Sequence, residues 1–337
     1  MVASGDTNAP KSSAISRRCA LIGALVASSV PFDFGRAQAT YPSRPVRLIV
    51  PFGPGGATDV TTRIAAEKLG EKYGQRFVVE NQPGAGGIAA ARSVLSSATD
   101  GHTVGVATNG TATSVSMFKA LPFDPLKDFE MVSTLGLFEA VFAVNPESPY
   151  KTLQDFINAA KAQPGKLNVG TVTVGGSQYL AAELFKTEAG IDFQIVTFRT
   201  SPEIVVALLR NDIQMAIEFY TAVQAPLADK KFLALATSGI KRSATLPDVP
   251  TVHESGVRGY EVTSWNALFV AKGTPPDVIE NLNQSVHQVV AMPDVRRRFG
   301  EVGIEATAST PGELTTRLRR DIDKWAKVIE KAGIPKQ

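Results

Sequence analysis

Cysteine and histidine are scarce in this chain of 337 residues, which contains one cysteine and three histidines. The cysteine, Cys19, lies at the start of an apolar run near the N-terminus, in a segment that we expect to be removed. The remaining chain then has no thiol. This shortage excludes disulfides, cysteine nucleophiles and thiolate metal sites, and several classes of enzyme with them.

The three histidines do not form a catalytic or metal-binding pattern. No two of His102, His253 and His287 are at metal-ligand spacing, and His253-Glu254 is not followed by the second histidine of a His-Glu-x-x-His motif. The chain also lacks the Gly-x-Ser-x-Gly elbow of serine hydrolases. We therefore predict no catalytic residue, no metal and no cofactor.

An excess of charge of one sign is absent as well. Lysine and arginine number 35 against 32 aspartates and glutamates, a formal net charge of +3. Nucleic-acid-binding proteins normally present a strongly basic surface, so we predict no nucleic-acid partner. A transcription regulator would further need a DNA-reading helix-turn-helix at one end, where this chain instead has the features of an export signal.

The N-terminus has the three regions of an export signal. Residues 1–18 are polar and include Lys11, Arg17 and Arg18, residues 19–30 are apolar, and Ala37-Gln38-Ala39 fits the small-residue cleavage rule. The apolar run is shorter than the roughly 20 residues that a membrane-spanning helix needs. We expect cleavage after Ala39 and a periplasmic protein, with the Sec or twin-arginine route left open.

Glycine, in contrast, is concentrated in two loops, residues 51–59 (PFGPGGATD) and 81–87 (NQPGAGG). Each loop follows an apolar strand and opens a predicted helix. Residues without a Cβ let the backbone approach a ligand closely, and the first turn of a helix presents unpaired N–H groups and the positive end of its dipole. The pair of loops therefore predicts an anion-binding cradle.

A nucleotide phosphate does not fit these loops. A Walker A loop requires Lys-Ser/Thr after its last glycine, whereas Gly56 is followed by Ala57 and Thr58. Neither loop has the Gly-x-Gly-x-x-Gly spacing of dinucleotide-binding folds. The alternative that both loops are only tight turns between strand and helix also stays open, because glycine and proline favour such turns.

Apolar strands alternate with helices along the rest of the chain. Strands are predicted at about 46–50, 77–79 and 103–107, with helices at about 58–73 and 88–98 between them, and the same order restarts after residue 143. Continuous apolar strands indicate a parallel sheet that is covered on both faces. We predict an α/β protein of two lobes with a cleft between them.

Several separated motifs resemble one family. Residues 41–45, 51–59, 79–87, 121–129 (LPFDPLKDF) and 246–251 (LPDVPT) are similar to the Bug-type solute receptors of tripartite tricarboxylate transporters. The resemblance implies a two-lobed, type II-like periplasmic-binding-protein fold that closes on a small organic carboxylate. It assigns residues 1–39 to the export signal, 40–142 plus 262–337 to lobe 1 and 143–261 to lobe 2.

The resemblance also implies the ligand-binding residues of lobe 1. In that family the two glycine loops hold a ligand carboxylate through main-chain N–H groups and ordered water. The matching positions are Phe52, Gly55, Gly56, Ala57, Thr58, Asp59, Ala85, Gly86 and Gly87. Because Asp59 is itself an anion, we assign it to capping its helix.

The second lobe departs from the family pattern. Its loop at 170–179 has Thr173 at a usual glycine position and Tyr179 in place of histidine, and the family's Phe-Asp-Asn stretch is replaced by Ile217-Glu218-Phe219. The ligand-binding residues implied here are Thr173, Gly175, Gly176, Ser177, Arg199, Glu218 and Phe219. The longer Glu218 and the added aromatic residues are expected to reshape the distal half of the site.

Arg199 and Glu218 each have two interpretations. Arg199 would either grip a second ligand carboxylate or pair with Glu218 or Glu203 at the surface, and we favour the surface pair. Glu218 would alternatively receive a ligand ammonium group. Aromatic side chains at Phe52, Phe219, Tyr220 and Trp265 favour a bulky or planar carboxylate, although the sequence does not identify it.

The resemblance further implies integral membrane permease subunits as partners and a hinged, monomeric receptor that does no chemistry on its ligand. The alternative from another class is a periplasmic hydrolase or transferase acting on a small acid derivative.

Overall fold

A computed structural model describes residues 41–172 and 176–337, apart from the side chain of Ala85. The predicted export signal, together with Thr173 and Gly175, lies outside the described residues. Residues 40–337 form one compact unit. None of the helices in the described ranges combines the length and apolar character needed to cross a membrane.

The strands are β1 (Val46–Val50), β2 (Phe77–Asn81), β3 (Thr103–Thr108), β4 (Phe129–Val144), β5 (Asn168–Thr171), β6 (Gln194–Thr197), β7 (Met215–Phe219), β8 (Leu233–Thr237), β9 (Thr263–Ala271) and β10 (Ile304–Ala306). The helices are α1 (Ala57–Tyr73), α2 (Ile88–Leu95), α3 (Asn109–Met117), α4 (Leu153–Ala162), α5 (Ser177–Ala189), α6 (Ser201–Leu209), α7 (Tyr220–Ala228), α8 (Pro276–Ala291), α9 (Pro293–Gly300) and α10 (Pro311–Lys331). A 3-10 turn at Ala85–Gly87 precedes α2.

The sheet follows the order β2-β1-β3-β9-β4-β7-β5-β6, with β8 and β10 also paired to β4. Strand β1 is parallel to β2 and β3, and β7, β5 and β6 are parallel to one another. Two antiparallel strands, β9 and β4, join these parallel groups. The α/β prediction is confirmed, and each parallel group supplies one wall of a cleft.

The long strand β4 connects the two groups. Its first part, Phe129–Glu139, pairs with β9, and its last part, Ala140–Val144, pairs with β7 and β8. The predicted lobe boundary at 142/143 lies within this last part. The assignment of residues to lobes remains a prediction, whereas the two parallel groups of strands are a feature of the structure.

Local signals explain most of the elements around the cleft. Helix α1 ends where Gly74 takes a left-handed conformation with φ 64°, as glycine after a helix commonly does. A capping box formed by Thr152 and Asp155 opens α4. Four of the five residues of β1 are buried, as a mostly apolar sequence predicts for a central parallel strand, and the exception, Arg47, pairs with Glu80.

The core lies on both faces of the sheet. One cluster packs around Phe142, Trp265 and Trp325, and another packs between β1, α1 and α8 around Leu48, Leu69 and Leu282. Trp325 is 2% exposed and lies on the apolar face of α10, so it is a packing residue. These buried layers fix the strand ends on which the site depends.

Candidate ligand-binding site

A cavity of about 920 Å³ lies at the carboxyl ends of the parallel strands. Parallel α/β sheets place their ligands at this edge. The wall formed by the first group of strands comprises residues from 51–58, 84–87 and 108–118. The opposite wall comprises Val172, residues 176–178 and 199–202, and Phe219. Phe138, Ser264 and Trp265 lie between the walls.

Six helices begin at this cavity. The residues preceding α1, α2, α3, α5, α6 and α7 all line it, and they are Gly56, Gly87, Thr108, Gly176, Thr200 and Phe219. Of these six, Thr108 alone caps its helix with its side chain. The first N–H groups of the other five helices are therefore not satisfied by their own N-cap side chain, and the positive ends of all six dipoles face the cavity.

The first glycine loop is held from behind by Asp59. One carboxylate oxygen accepts hydrogen bonds from the Gly55 N–H and from Nε of Arg63, each at 2.9 Å, and the other accepts from Nδ2 of Asn81 at 2.9 Å. Burial alone would raise the pKa of Asp59, but these hydrogen bonds outweigh it and lower the pKa. Asp59 is 3% exposed, and the Gly55 N–H is directed toward its carboxylate. Neither residue lines the cavity.

The wall from this loop is mainly backbone. Thr58 lines the cavity, yet its hydroxyl donates to Oδ1 of buried Asn266 at 2.9 Å, and Asn266 in turn donates to Oγ1 of Thr61. Phe52 contributes an exposed ring, and Gly56 and Ala57 contribute main chain. The loop can therefore offer amide hydrogens and an apolar surface to a ligand.

The second glycine loop needs its glycines for geometric reasons. Gly86 and Gly87 have φ values of 61° and 67°, in the left-handed region that disfavours side chains. A Cβ on Gly86 would lie 2.5 Å from Cε2 of Phe118, and one on Gly87 would lie 3.3 Å from Cβ of Pro51. Both residues line the cavity, and the backbone of Ala85 belongs to the same turn.

A third turn, after β3, completes this wall and is absent from the sequence-based site. Thr108 and Thr111 form a reciprocal capping box that opens α3. Asn109 accepts a hydrogen bond from Nε1 of Trp325 at 2.6 Å and donates from Nδ2 to Oγ of Ser177 at 3.1 Å. The signal available in the sequence was the polar run that follows the apolar strand at 103–107, since it repeats the arrangement of the two glycine loops.

The opposite wall brings together Gly176, Ser177, Gln178, Arg199 and Phe219. Arg199 has the only ionised side chain among the described residues of the cavity wall. Its guanidinium makes no ion pair with Glu203 or Glu218, so the surface pair favoured from the sequence is wrong. The main-chain N–H of Arg199 instead donates to Oε2 of Glu203 at 3.1 Å, because Glu203 lies in the first turn of α6.

Glu218 lies behind this wall and does not line the cavity. The residue has no exposed surface, and its Oε1 accepts hydrogen bonds from Nε2 of Gln178 and from the Phe219 N–H. Burial raises the pKa of this carboxyl, and the Ser201 hydroxyl and the Gln178 amide offset part of that effect. Gln178, which the sequence-based site omits, is the residue that reaches from Glu218 to the cavity.

The three histidines lie elsewhere. Nε2 of His102 accepts from the Ser43 N–H, Nδ1 of His253 accepts from the Gly259 N–H, and His287 lies beside the Ser309 carbonyl. Within residues 41–172 and 176–337, no group of three or more histidine, cysteine, aspartate or glutamate side chains is arranged to hold a metal ion.

Residues 61–334 match the family described as the tripartite tricarboxylate transporter family receptor, TctC. The chain belongs to this receptor family. It is 31% identical over 316 residues to a Pseudomonas sp. (strain P51) protein encoded between tcbD and tcbE, covering 94% of each chain. It is also 31% identical over 321 residues to BugT of Bordetella pertussis, covering 95% of this chain and 98% of BugT. The family resemblance in the sequence is thereby confirmed.

Solved structures of proteins similar to this chain have the same fold. The R. palustris protein Rpa4515, determined with adipate, is 30% identical and superimposes with a TM-score of 0.78, covering 88% of this chain and all of that one. MatC (Rpa3494) from Rhodopseudomonas palustris, determined with bound malate, is 29% identical with a TM-score of 0.73, covering 86% of this chain and all of that one. The α/β fold of these two proteins is therefore the fold of this chain.

Proposed function

We propose that this TctC receptor binds a small organic carboxylate in the cavity, in the periplasm, and delivers it to the membrane subunits of a tripartite transporter. The observation that carries the proposal is the convergence of six helix starts on one cavity. Each exposed helix N-terminus favours an anion by about 0.3–1 kcal/mol, and more where it is partly buried. An anion placed there would also satisfy amide hydrogens that no side chain caps.

The composition of the wall favours an organic anion. Phe52, Phe118, Phe138 and Phe219 contribute apolar surface, and Arg199 contributes the only ionised side chain of the described wall. A carboxylate at the glycine loops with a carbon skeleton against these rings would match both properties. The cavity also falls within the range of about 300–1,000 Å³ that small-molecule sites occupy.

The relatives support the same class of ligand. Rpa4515 was determined with adipate and MatC with malate, both of which are carboxylates. BugD, with a TM-score of 0.75 and 27% identity, is described as a periplasmic binding protein. Cleavage after Ala39, a monomeric state and the membrane partners are part of the proposal and rest on the sequence pattern and the family.

A thermal-shift screen of the purified exported protein against monocarboxylates, diacids, tricarboxylates and amino acids tests the proposal. A ligand at 100 times its dissociation constant stabilises the folded state by about 2.7 kcal/mol, which moves the melting temperature by several degrees. We expect at least one carboxylate to do so, and calorimetry should then give one site per chain. NMR of the recovered ligand should show it unchanged, because the alternative of a hydrolase or transferase requires conversion to product. Binding by none of these compounds would refute the proposal.

A further inference from the structure

Glu218 is a buried carboxyl group with no cationic partner. It lies near the end of β7 with no exposed surface, directly opposite Val141 of β4. Its Oε1 accepts two N–H groups, from Gln178 and Phe219. Its Oε2 has no hydrogen-bond partner among the described residues. A buried charged oxygen without a partner is unfavourable, so the site requires a physical explanation.

The two donors and a nearby hydroxyl place Glu218 at the start of three helices. Gln178 is the second residue of α5, Phe219 precedes α7, and Ser201, the first residue of α6, also lowers the pKa of Glu218. The N-cap residues of these three helices make no side-chain cap. An ionised Glu218 would therefore be the negative charge that these helix starts attract.

The residues packed around Glu218 in the described part of the chain give it no ionic partner. From α5 it meets Gln178, and from α6 it meets Ser201, with Arg199 and Glu203 at the start of that helix. Tyr220 begins α7, and β4 presents Val141. None of the charged side chains in the described ranges forms an ion pair with Glu218. Burial is the largest influence on the pKa of Glu218 and raises it, so Glu218 takes up a proton at a higher pH than an exposed carboxyl does.

We propose that Glu218 is a specificity-determining residue, an internal carboxylate that competes with the second carboxylate of a diacid for the starts of α5, α6 and α7. The inference rests on the proposed function and deepens it. A ligand with one carboxylate is held at the glycine loops and does not meet this competition. A diacid places its second charge on the opposite wall, next to Gln178, and binds there when Glu218 carries a proton.

The competition links diacid binding to proton uptake. A second ligand charge raises the pKa of Glu218 further, since two like charges at one site disfavour each other. Diacid affinity then falls as pH rises through the pKa of Glu218 in the free protein, by at most about tenfold per pH unit for one linked proton. A monocarboxylate of the same length has no such dependence.

Isothermal titration with matched acid pairs tests this inference. The pairs are succinate and butyrate, adipate and hexanoate, and suberate and octanoate, measured between pH 6 and 8.5 in two buffers of different ionisation enthalpy. We expect the wild-type protein to take up as much as one proton with the bound diacid and none with the monocarboxylate. Glu218→Gln, which keeps the shape without the charge, should remove the pH dependence and tighten diacid binding at the alkaline end of this range.

The outcomes separate the inference from the proposed function. Diacid binding without proton uptake by the wild-type protein overturns the inference. This measurement does not depend on whether Glu218→Gln folds. Binding of monocarboxylates with no diacid bound by either protein overturns it too, as does loss of amino-acid binding in Glu218→Gln, which would make Glu218 an ammonium receptor. Failure of every carboxylate to bind removes the proposed function, and the inference with it.

Discussion

Asn109 and Ser177 are joined across the cavity by a hydrogen bond of 3.1 Å from Nδ2 to Oγ, although 68 positions separate them in the sequence. The bond connects the first residue of α3 to the first residue of α5. Nε1 of buried Trp325 fixes the orientation of the Asn109 amide from below, because it donates to Oδ1 at 2.6 Å. The two walls of the cavity are thus connected at the helix starts that form the site.

Substituting Ser177 and substituting Asn109 should have different consequences. Ser177→Ala removes the cross-cavity bond, and we expect carboxylate affinity to fall about threefold to tenfold with a stability loss of at most about 1.5 kcal/mol. Asn109→Ala also leaves the Trp325 N–H without its buried acceptor, which should cost about 1–3 kcal/mol. Urea unfolding and calorimetry measure both effects. Ser116→Ala, which is also in α3 but outside the cavity wall, is the control. An equal loss of affinity in Ser116→Ala would show that the loss comes from disturbing α3 and not from breaking the contact between Asn109 and Ser177.

Asp59 should act on stability before it acts on binding. Asp59→Ala removes the acceptor of the Gly55, Arg63 and Asn81 hydrogen bonds and should lower the free energy of unfolding by about 1–2 kcal/mol. Since the folded pKa is lowered, this stabilisation is present above the unfolded pKa near 4 and is lost as pH falls through the folded pKa. Denaturant titrations at pH 7 and pH 3 measure it. The exposed Asp229→Ala should change stability by less than about 0.5 kcal/mol, and a similar loss there would contradict the assignment.

Gly86 should not tolerate a side chain. Gly86→Ala combines a left-handed φ of 61° with a Cβ 2.5 Å from the Phe118 ring, so we expect a loss of about 1–3 kcal/mol and weaker carboxylate binding. At Gly312, no atom lies within 4 Å of an added Cβ and φ is not positive, so Gly312→Ala should be close to neutral. Thermal unfolding compares the two variants. Equal stability of Gly86→Ala and the wild type would show that the turn can rearrange.

Arg199 should contribute to affinity and not to stability, because its guanidinium has no protein partner among the described residues. Arg199→Gln should weaken binding of the identified carboxylate about tenfold or more. Arg199→Lys should retain part of the affinity, because lysine keeps the positive charge but lacks the planar guanidinium that binds a carboxylate through two hydrogen bonds. The loss should shrink at high salt. Arg210→Gln, at the other end of α6, should leave affinity unchanged. Unaltered binding in Arg199→Gln would remove Arg199 from the site.

Glu139 should make stability depend on pH near neutrality. It lies in the middle of β4 opposite Thr263, where burial raises the pKa of its carboxyl to about 7, assisted by Glu305 and Glu261. The folded state holds this proton more tightly than the unfolded state does, so stability should fall as pH rises from about 4.5 through 7. Glu139→Gln should remove this slope and stabilise the protein at pH 8 by at most about 3 kcal/mol. Glu305→Gln should leave most of the slope in place; a slope unchanged in Glu139→Gln would assign it to another group.

The first wall of the site could be predicted from the sequence because the motifs that form it are local. A glycine loop between an apolar strand and a helix specifies its own backbone, and two such loops in neighbouring strand-helix units must meet at one sheet edge. The positions at 52, 56–58, 86 and 87 therefore line the cavity as placed from the sequence. The turn at 108–111 escaped this reasoning because threonine and asparagine, not glycine, open α3.

The second wall depends on contacts between distant residues. Sequence spacing did not indicate that Gln178 would reach Glu218, that Arg199 would lack an ionic partner, or that Asn109 would contact both Trp325 and Ser177. The positions of Thr173 and Gly175 stay predictions, since they lie outside the described residues. The length of β4, which carries the chain between the two groups of strands, is likewise not marked by any local signal.

The sequence by itself determined the alternation of strands and helices, the glycine turns at the first wall and the family, since backbone propensity and short motifs act within a few residues. Tertiary structure alone decided which helix starts converge, which carboxyl groups lose their water and which polar side chains meet across the cavity. Burial and hydrogen bonding between residues far apart in the chain set those outcomes, and they exist only once the sheet has brought its strand ends together.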